Sequence, residues 1–271
     1  MDKDILRKIK YFLLDMDGTI YLDTNLFPGT LDFLETLKSQ GKRAIYITNN
    51  SSKSVSTYVD KLKGLGISAE PEDFFTSSQA LVYMLNKKNK GCKIFLLGTP
   101  SLEEYIENSG FTLVREYTDD PEKRPDFVVL AFDTTLTYQK LTDGCHYICD
   151  GVTYWATHPD AVCPYKEDFS LPDAGAFIEC INVVTGKKPE FIAGKPNPHM
   201  INMFMESQGC LPSEIAVVGD RLHTDIMSAI NAGVTSVCVL SGETTKEMLS
   251  DSPVKPDFVL DSIKDLYEII K

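Results

Sequence analysis

The sequence predicts an α/β fold, a doubly wound parallel-sheet (Rossmann-like) core carrying a second, inserted α/β block. Two observations lead there. Short, continuously apolar runs such as YFLLD (11–15) and EIAVVG (214–219) alternate with helical patterns through the chain. Strands that are apolar on both faces belong to parallel sheets covered by helices on each side. The second observation is length. The 271 residues would need about nine strands as one sheet, which is wide, whereas two α/β units fit them well. The expected division is a core from 1–78 and 183–271 and an inserted block from 79–182.

The elements follow in order. YFLLD is the first strand. PGTLDFLETLKSQGK (28–42) is a helix, with Leu31, Leu34 and Leu37 at helical spacing and Gly41 as its stop. RAIYIT (43–48) is a strand, and SVSTYVDKLKGLG (54–66) a helix with Val55, Val59 and Leu62 on one face. In the middle block KIFLLG (93–98), DFVVLAF (126–132) and VTYWAT (152–157) read as strands, with helices near 101–109 and 138–149. The core rhythm then returns with EFIA (190–193), EIAVVG, TSVCVL (235–240) and DFVL (257–260), separated by helices near 198–209, 223–232 and 262–270.

Composition narrows the function. Hydrophobic residues make up 43% and charged residues 24%, and the net charge is −12. An acidic chain is a poor match for nucleic acid, whose phosphates attract basic patches. A small phosphorylated ligand, which needs only a few local donors and a cation, stays open. MDKDILRKIK at the start has no apolar core of signal-peptide length, and no apolar run approaches a membrane span. The expected location is cytoplasmic. The seven cysteines form no CxxC pair, as suits reduced thiols. Cys145 and Cys149 of CHYIC would share a helix face, but no second ligand pair stands nearby, so they read as packing residues rather than a metal site.

Four strand ends carry chemistry. Asp15 ends the first strand, where ligands bind in open α/β sheets. Asp17 follows two positions later, so in extended backbone both carboxylates leave one face. Such a pair repels unless a cation or shared proton intervenes, and Mg²⁺ is the common hard partner. Taken alone, DMDGT also reads as a strand-terminal turn. The second strand runs into Thr48-Asn49-Asn50-Ser51-Ser52, whose amides and hydroxyls suit either a phosphate or a helix cap. The third end, AGKPNPHM (193–200), places Lys195 before two prolines. The fourth, VVGDRLHTDI (217–226), gives Asp220 and then Asp225, with His223 between them as a solvated residue.

All four ends together resemble the haloacid dehalogenase-like hydrolase superfamily, through DMDGT, ITNN, GKP and GDRLHTD. The forms TNNSS, GKPNP and GDRLHTDI resemble its NagD/4-nitrophenylphosphatase group, whose α/β cap is inserted between the second and third motifs. The resemblance implies a Mg²⁺-dependent phosphatase of small phosphate monoesters. Asp15 would be the nucleophile forming an aspartyl-phosphate, and Asp17 the general acid and base. Mg²⁺ would bind Asp15, the main-chain carbonyl of Asp17 and Asp220, with Asp225 orienting Lys195 or the metal ligands. Thr48, Asn49 and Asn50 would bind phosphate, with Lys195 offsetting its charge. A receiver-like or catalytically inactive phosphate-binding protein is the alternative, although a receiver is about half this length and needs no Asp17. In the cap, THPDAVCPYKEDFSLPDAG (157–175) resembles the group's substrate loop, with Asp160, Cys163 and Gly175 as lining positions. His158 stands where Asn is usual and Asp173 where Gly is usual. The partners implied are a small phosphate monoester, with neither nucleic acid nor membrane, and a homodimer through the cap is left open.

Overall fold

The structure, a computed structural model, describes residues 3–166 and 169–271. In chain order its strands are β1 Tyr11–Leu14, β2 Tyr21–Leu22, β3 Asn25–Leu26, β4 Arg43–Thr48, β5 Phe74–Thr76, β6 Lys93–Leu97, β7 Thr112–Val114, β8 Phe127–Leu130, β9 Thr153–Ala156, β10 Val162–Lys166, β11 Phe169–Pro172, β12 Phe191–Ile192, β13 Ile215–Gly219, β14 Thr235–Val239 and β15 Phe258–Leu260. The chain forms two compact units. One comprises the residues up to Thr48, Val55–Phe75 and Lys195–Lys271, and the other Asn49–Ser54 and Thr76–Gly194. No helix among the described residues is long and apolar enough to cross a membrane.

The first unit holds a six-stranded sheet in the order β15-β14-β13-β1-β4-β5. β1 is central and pairs in parallel with both neighbours, Leu14 lying opposite Val218 on β13 and Tyr46 on β4. The chain leaves β1 for β4 on one side and later returns to β13 on the other. The winding therefore reverses at β1, and a reversal opens a crevice at the carboxyl ends of the strands. Alternate residues of β1 feed two cores. Phe12 and Leu14 pack with Phe33, Leu37, Val218 and Val237 on one face, and Leu13 packs with Ile45, Val217, Ile201 and Phe204 on the other.

Helix Thr30–Ser39 buries Thr30, Phe33 and Leu37, while Leu31 is 48% exposed. Of the sequence stripe of Leu31, Leu34 and Leu37, Leu37 is buried and Leu34 packs half-buried against the core, while Leu31 faces out. Phe33 wins the core because its ring meets Phe12 edge-on at 5.5 Å. Aromatic bulk buries more surface than one leucine.

The second unit holds a five-stranded parallel sheet in the order β12-β9-β8-β6-β7. Its core gathers Phe95, Leu97, Val128, Leu130, Tyr147 and Ile148. The unit's edges differ from the expected 79 and 182. EFIA, read as a core strand, forms β12 of this second sheet, with Phe191 opposite Trp155. Trp155 is sandwiched there between Phe127 at 4.8 Å and Phe191 at 4.6 Å. The pattern also missed β5, β7, the β10–β11 hairpin and helices Ser77–Lys88 and Ala174–Thr185. Strands β5 and β7 have three residues each, too short for periodicity to reveal.

Leu13 is fully buried in the central strand. Leu13→Ala should cost about 2–5 kcal/mol of unfolding free energy. Val259→Ala, at a position 45% exposed on an edge strand, should cost about 0.5 kcal/mol or less. Urea unfolding of both variants checks this.

Candidate active site

The switch-point crevice of the first unit collects one polar group from each neighbouring strand end. Asp15 follows β1, and its N–H donates to Val218 O at 2.9 Å, which carries the ladder one residue past the strand. Thr48 closes β4 and is buried. Asp220 follows β13 and is buried. Asp225 lies in a turn of π-helix, Leu222–Ile226, that leads into helix Met227–Ala232. Such π turns re-aim side chains where a regular helix would not.

Lys195 joins two of these acids. Its Nζ donates to Asp15 Oδ1 at 2.6 Å and to Asp225 Oδ1 at 2.6 Å, with only 4% of its side chain exposed. Asp225 Oδ2 accepts from the Arg221 main-chain N–H at 3.1 Å. Both oxygens of Asp225 are therefore engaged, and its geometry is that of a group that fixes Lys195. Asp220 is held differently. Its Oδ2 accepts from Glu243 N at 2.7 Å, while its buried Oδ1 has no hydrogen-bond partner.

Burial dominates the electrostatics. It pushes the Asp15 carboxyl up to about 8, against the pull of the Lys195 ammonium and with a further push from Asp225 and Asp220. It pushes Asp220 up to about 6, with the Asp225 charge adding to it. Burial opposes the Lys195 charge, yet Asp15 and Asp225 together hold its pKa above the ordinary lysine value. These two directions conflict, since a neutral Asp15 could not raise Lys195. We favour the ionised pair, because a 2.6 Å contact to an ammonium stabilises the carboxylate.

Carboxylate oxygens of Asp15, Asp220 and Asp225 lie within 4.8 Å of one another. Three carboxylates against one ammonium leave two negative charges uncompensated, since Arg221 is engaged by Glu243 at 3.0 Å. A hard divalent cation fits this donor set, and the orphaned Asp220 Oδ1 supplies a ready ligand atom. The backbone leaves room for nothing larger around Asp220. A Cβ on Gly242 would lie 2.0 Å from its Oδ2, and one on Gly18, which adopts φ +84, would lie 2.5 Å from the same atom.

Asp17 stands apart from the buried cluster. Its side chain is 59% exposed, with Lys61 Nζ at 3.8 Å, whereas that of Asp15 is 17% exposed. The expectation that both carboxylates leave one strand face rests on an extended backbone. β1 ends at Leu14, and the chain turns through Met16, whose carbonyl accepts from Thr19, Ile20 and Tyr21 N–H groups. His223 is exposed, and of the CHYIC residues Cys145 is buried while His146 and Cys149 are exposed.

In the second unit Asn49 Nδ2 donates to both Asp160 oxygens, at 3.2 and 3.1 Å. Its side-chain amide is thus turned toward Asp160. Asn50 Oδ1 accepts from Ser52 N at 3.0 Å and Ser52 Oγ at 2.7 Å, closing an Asx turn. Cys163 lies half-buried on β10. Sequence reasoning missed the loop after β14, where Ser241 Oγ donates to Gly18 O at 2.7 Å and Glu243 N holds Asp220. The Ser-Gly pair after an apolar strand was the available signal.

Comparison with known proteins agrees with this geometry. A haloacid dehalogenase-like hydrolase family model matches residues 12–112, and a HAD-hydrolase-like model matches residues 192–266. An acid sugar phosphatase of Staphylococcus aureus is 34% identical over 265 residues, 98% of each chain. The crystal structure of a 4-nitrophenylphosphatase from Thermotoga maritima superposes with a TM-score of 0.92 and 44% identity, covering 98% of this chain and 99% of that one. A glycerol phosphate phosphatase from Mycobacterium tuberculosis, in complex with magnesium, superposes at 0.87 with 28% identity, covering 97% of this chain and 78% of that one. The chain therefore belongs to the haloacid dehalogenase-like hydrolase family, within its NagD/4-nitrophenylphosphatase group.

Proposed function

We propose that this hydrolase releases phosphate from small phosphate monoesters through an aspartyl-phosphate on Asp15, with Mg²⁺ as its divalent ion. One observation carries the reading. Asp15 is aimed and charge-compensated by a buried lysine, at a sheet switch point, beside an acid whose inner oxygen lacks a partner. The names of the similar phosphatases point the same way.

In this reading Asp15 attacks phosphorus and the leaving alcohol departs with a proton from Asp17. Asp17 then takes a proton from the water that hydrolyses the aspartyl-phosphate, regenerating both acids. Its exposure suits a group that exchanges protons with water. Thr48 and the main-chain amides of Asn49 and Asn50 hold the phosphoryl oxygens, and Lys195 offsets their charge. Asp225 keeps Lys195 on Asp15. Mg²⁺, held by Asp15, Asp220 and the Asp17 carbonyl, would supply screening between the anionic nucleophile and the phosphoryl oxygens. Preference among leaving groups is assigned to the loop of the second unit that carries Asp160 and Cys163.

Three outcomes follow. Asp15→Asn should fold normally and show no phosphate release from 4-nitrophenyl phosphate, and chelating the divalent ion should silence the unmutated enzyme in the same assay. Retained turnover in purified Asp15→Asn would sink the covalent step. Asp17→Asn should slow an alkyl phosphate by ~10²–10⁴-fold and 4-nitrophenyl phosphate much less, because a good leaving group needs little protonation. Equal losses would assign Asp17 to holding the ion alone. Gly242→Ala should raise the Mg²⁺ concentration for half-maximal activity by about tenfold or more, since the added methyl displaces Asp220. An unchanged midpoint would remove Asp220 from the ion's ligands.

A further inference from the structure

His158 and Asp173, the two positions where the substrate loop departs from the resembling group, are hydrogen-bonded to each other. His158 Nε2 lies 2.9 Å from Asp173 Oδ1, and both residues are buried. His158 Nδ1 lies 2.8 Å from Thr157 Oγ1, which lies 3.1 Å from Ser51 Oγ. Ser51 Oγ accepts from Phe132 N at 2.9 Å, and Asp173 Oδ1 accepts from Ala174 N at 2.6 Å as the cap of helix Ala174–Thr185.

The Nε2–H tautomer of His158, which donates to the Asp173 carboxylate, orders these contacts as one directed chain: Phe132 N–H to Ser51, Ser51 to Thr157, Thr157 to His158 Nδ1, and His158 Nε2–H to Asp173. Leu130 O, 3.5 Å from Thr157 Oγ1, is a second acceptor within reach of that hydroxyl. Each hydroxyl gives one proton and accepts one, so no buried group in the chain is left unpaired. The chain joins the segment after β4 to the first residues of the loop and to the helix behind it. Asp160 lies between the two anchors. Its carboxylate takes Asn49 Nδ2, its carbonyl accepts from Gly175 N at 2.8 Å, and Asp173 N donates to Ala161 O at 3.0 Å.

We propose that the buried His158–Asp173 pair is a positioning element that fixes the Asp160 loop and so sets the enzyme's preference among phosphate monoesters. It rests on the phosphatase reading above. The two residues touch no substrate themselves. They act through Asp160 and the start of helix Ala174–Thr185.

The test compares His158→Asn, Asp173→Gly and the double variant with wild type. Thermal unfolding, KM and kcat are measured for 4-nitrophenyl phosphate, a sugar phosphate and glycerol phosphate, together with inhibition by inorganic phosphate. Each single change strands a buried partner and should lower the melting temperature. Removing both partners together avoids stranding either one opposite its old partner, so the double variant should lose less stability than the two single losses combined, the lost Ala174 cap remaining. Its KM for at least one ester should nonetheless stay raised by about tenfold, in line with one lost charged hydrogen bond, and its ranking of esters should differ from wild type. Inhibition by inorganic phosphate should not move. A double variant that recovers both stability and the wild-type ranking would reduce the pair to a structural contact and overturn the inference. Phosphate inhibition that shifts as much as KM would overturn it too. Wild-type protein that releases no phosphate from any of the three esters would instead overturn the phosphatase reading.

Discussion

The site depends on an unbalanced charge. Lys195 bridges Asp15 and Asp225 at 2.6 Å on each side, and one ammonium cannot compensate three clustered carboxylates, two of them buried. Burying an uncompensated charge is costly, so the cluster is stable only when something else brings positive charge. In the function proposed above, Asp15 and Asp220 would hold a divalent ion that supplies this charge, and Lys195 would offset the charge of a phosphoryl group beside Asp15. Burial is the main cause of the raised carboxyls of Asp15 and Asp220, and the repulsion among the acids adds to it.

The sheet converts that requirement into geometry. Because β1 lies between β13 and β4, the residues just past three adjacent strands meet in one crevice although they are far apart in sequence. Lys195 enters from the loop before helix His199–Gln208. Gly18 and Gly242 pack so closely against Asp220 that a side chain at either would collide with its carboxylate. Rigid strand ends suit a reaction in which catalytic groups must already point at developing charge.

Much of this was legible in the sequence because apolar strands ending in acids are rare without a reason. DMDGT, GKP and GDRLHTD marked Asp15, Lys195, Asp220 and Asp225, and the strands carrying them were long enough to read. Side-chain direction was less legible. The Asx turn of Asn50 and the turn of Asn49 toward Asp160 depend on contacts that no local pattern encodes. The same holds for the face of helix Thr30–Ser39, where two overlapping apolar stripes compete and tertiary packing chose Phe33. EFIA was misplaced because two residues of strand carry no sign of which sheet they join, and the pairing with Trp155 decides it. His158 and Asp173 were visible as departures from a pattern, but only the fold shows that they are partners.

The charge imbalance is tested most directly by Mg²⁺ binding to the full chain in the absence of substrate, followed by calorimetry. The account predicts one ion per chain and a gain in unfolding free energy of about 2.7 kcal/mol at a hundredfold excess over Kd. It also predicts that Asp220→Asn loses most of that binding while keeping its fold. An Asp220→Asn protein that binds the ion as tightly as wild type, or a wild-type chain that binds none, would contradict it.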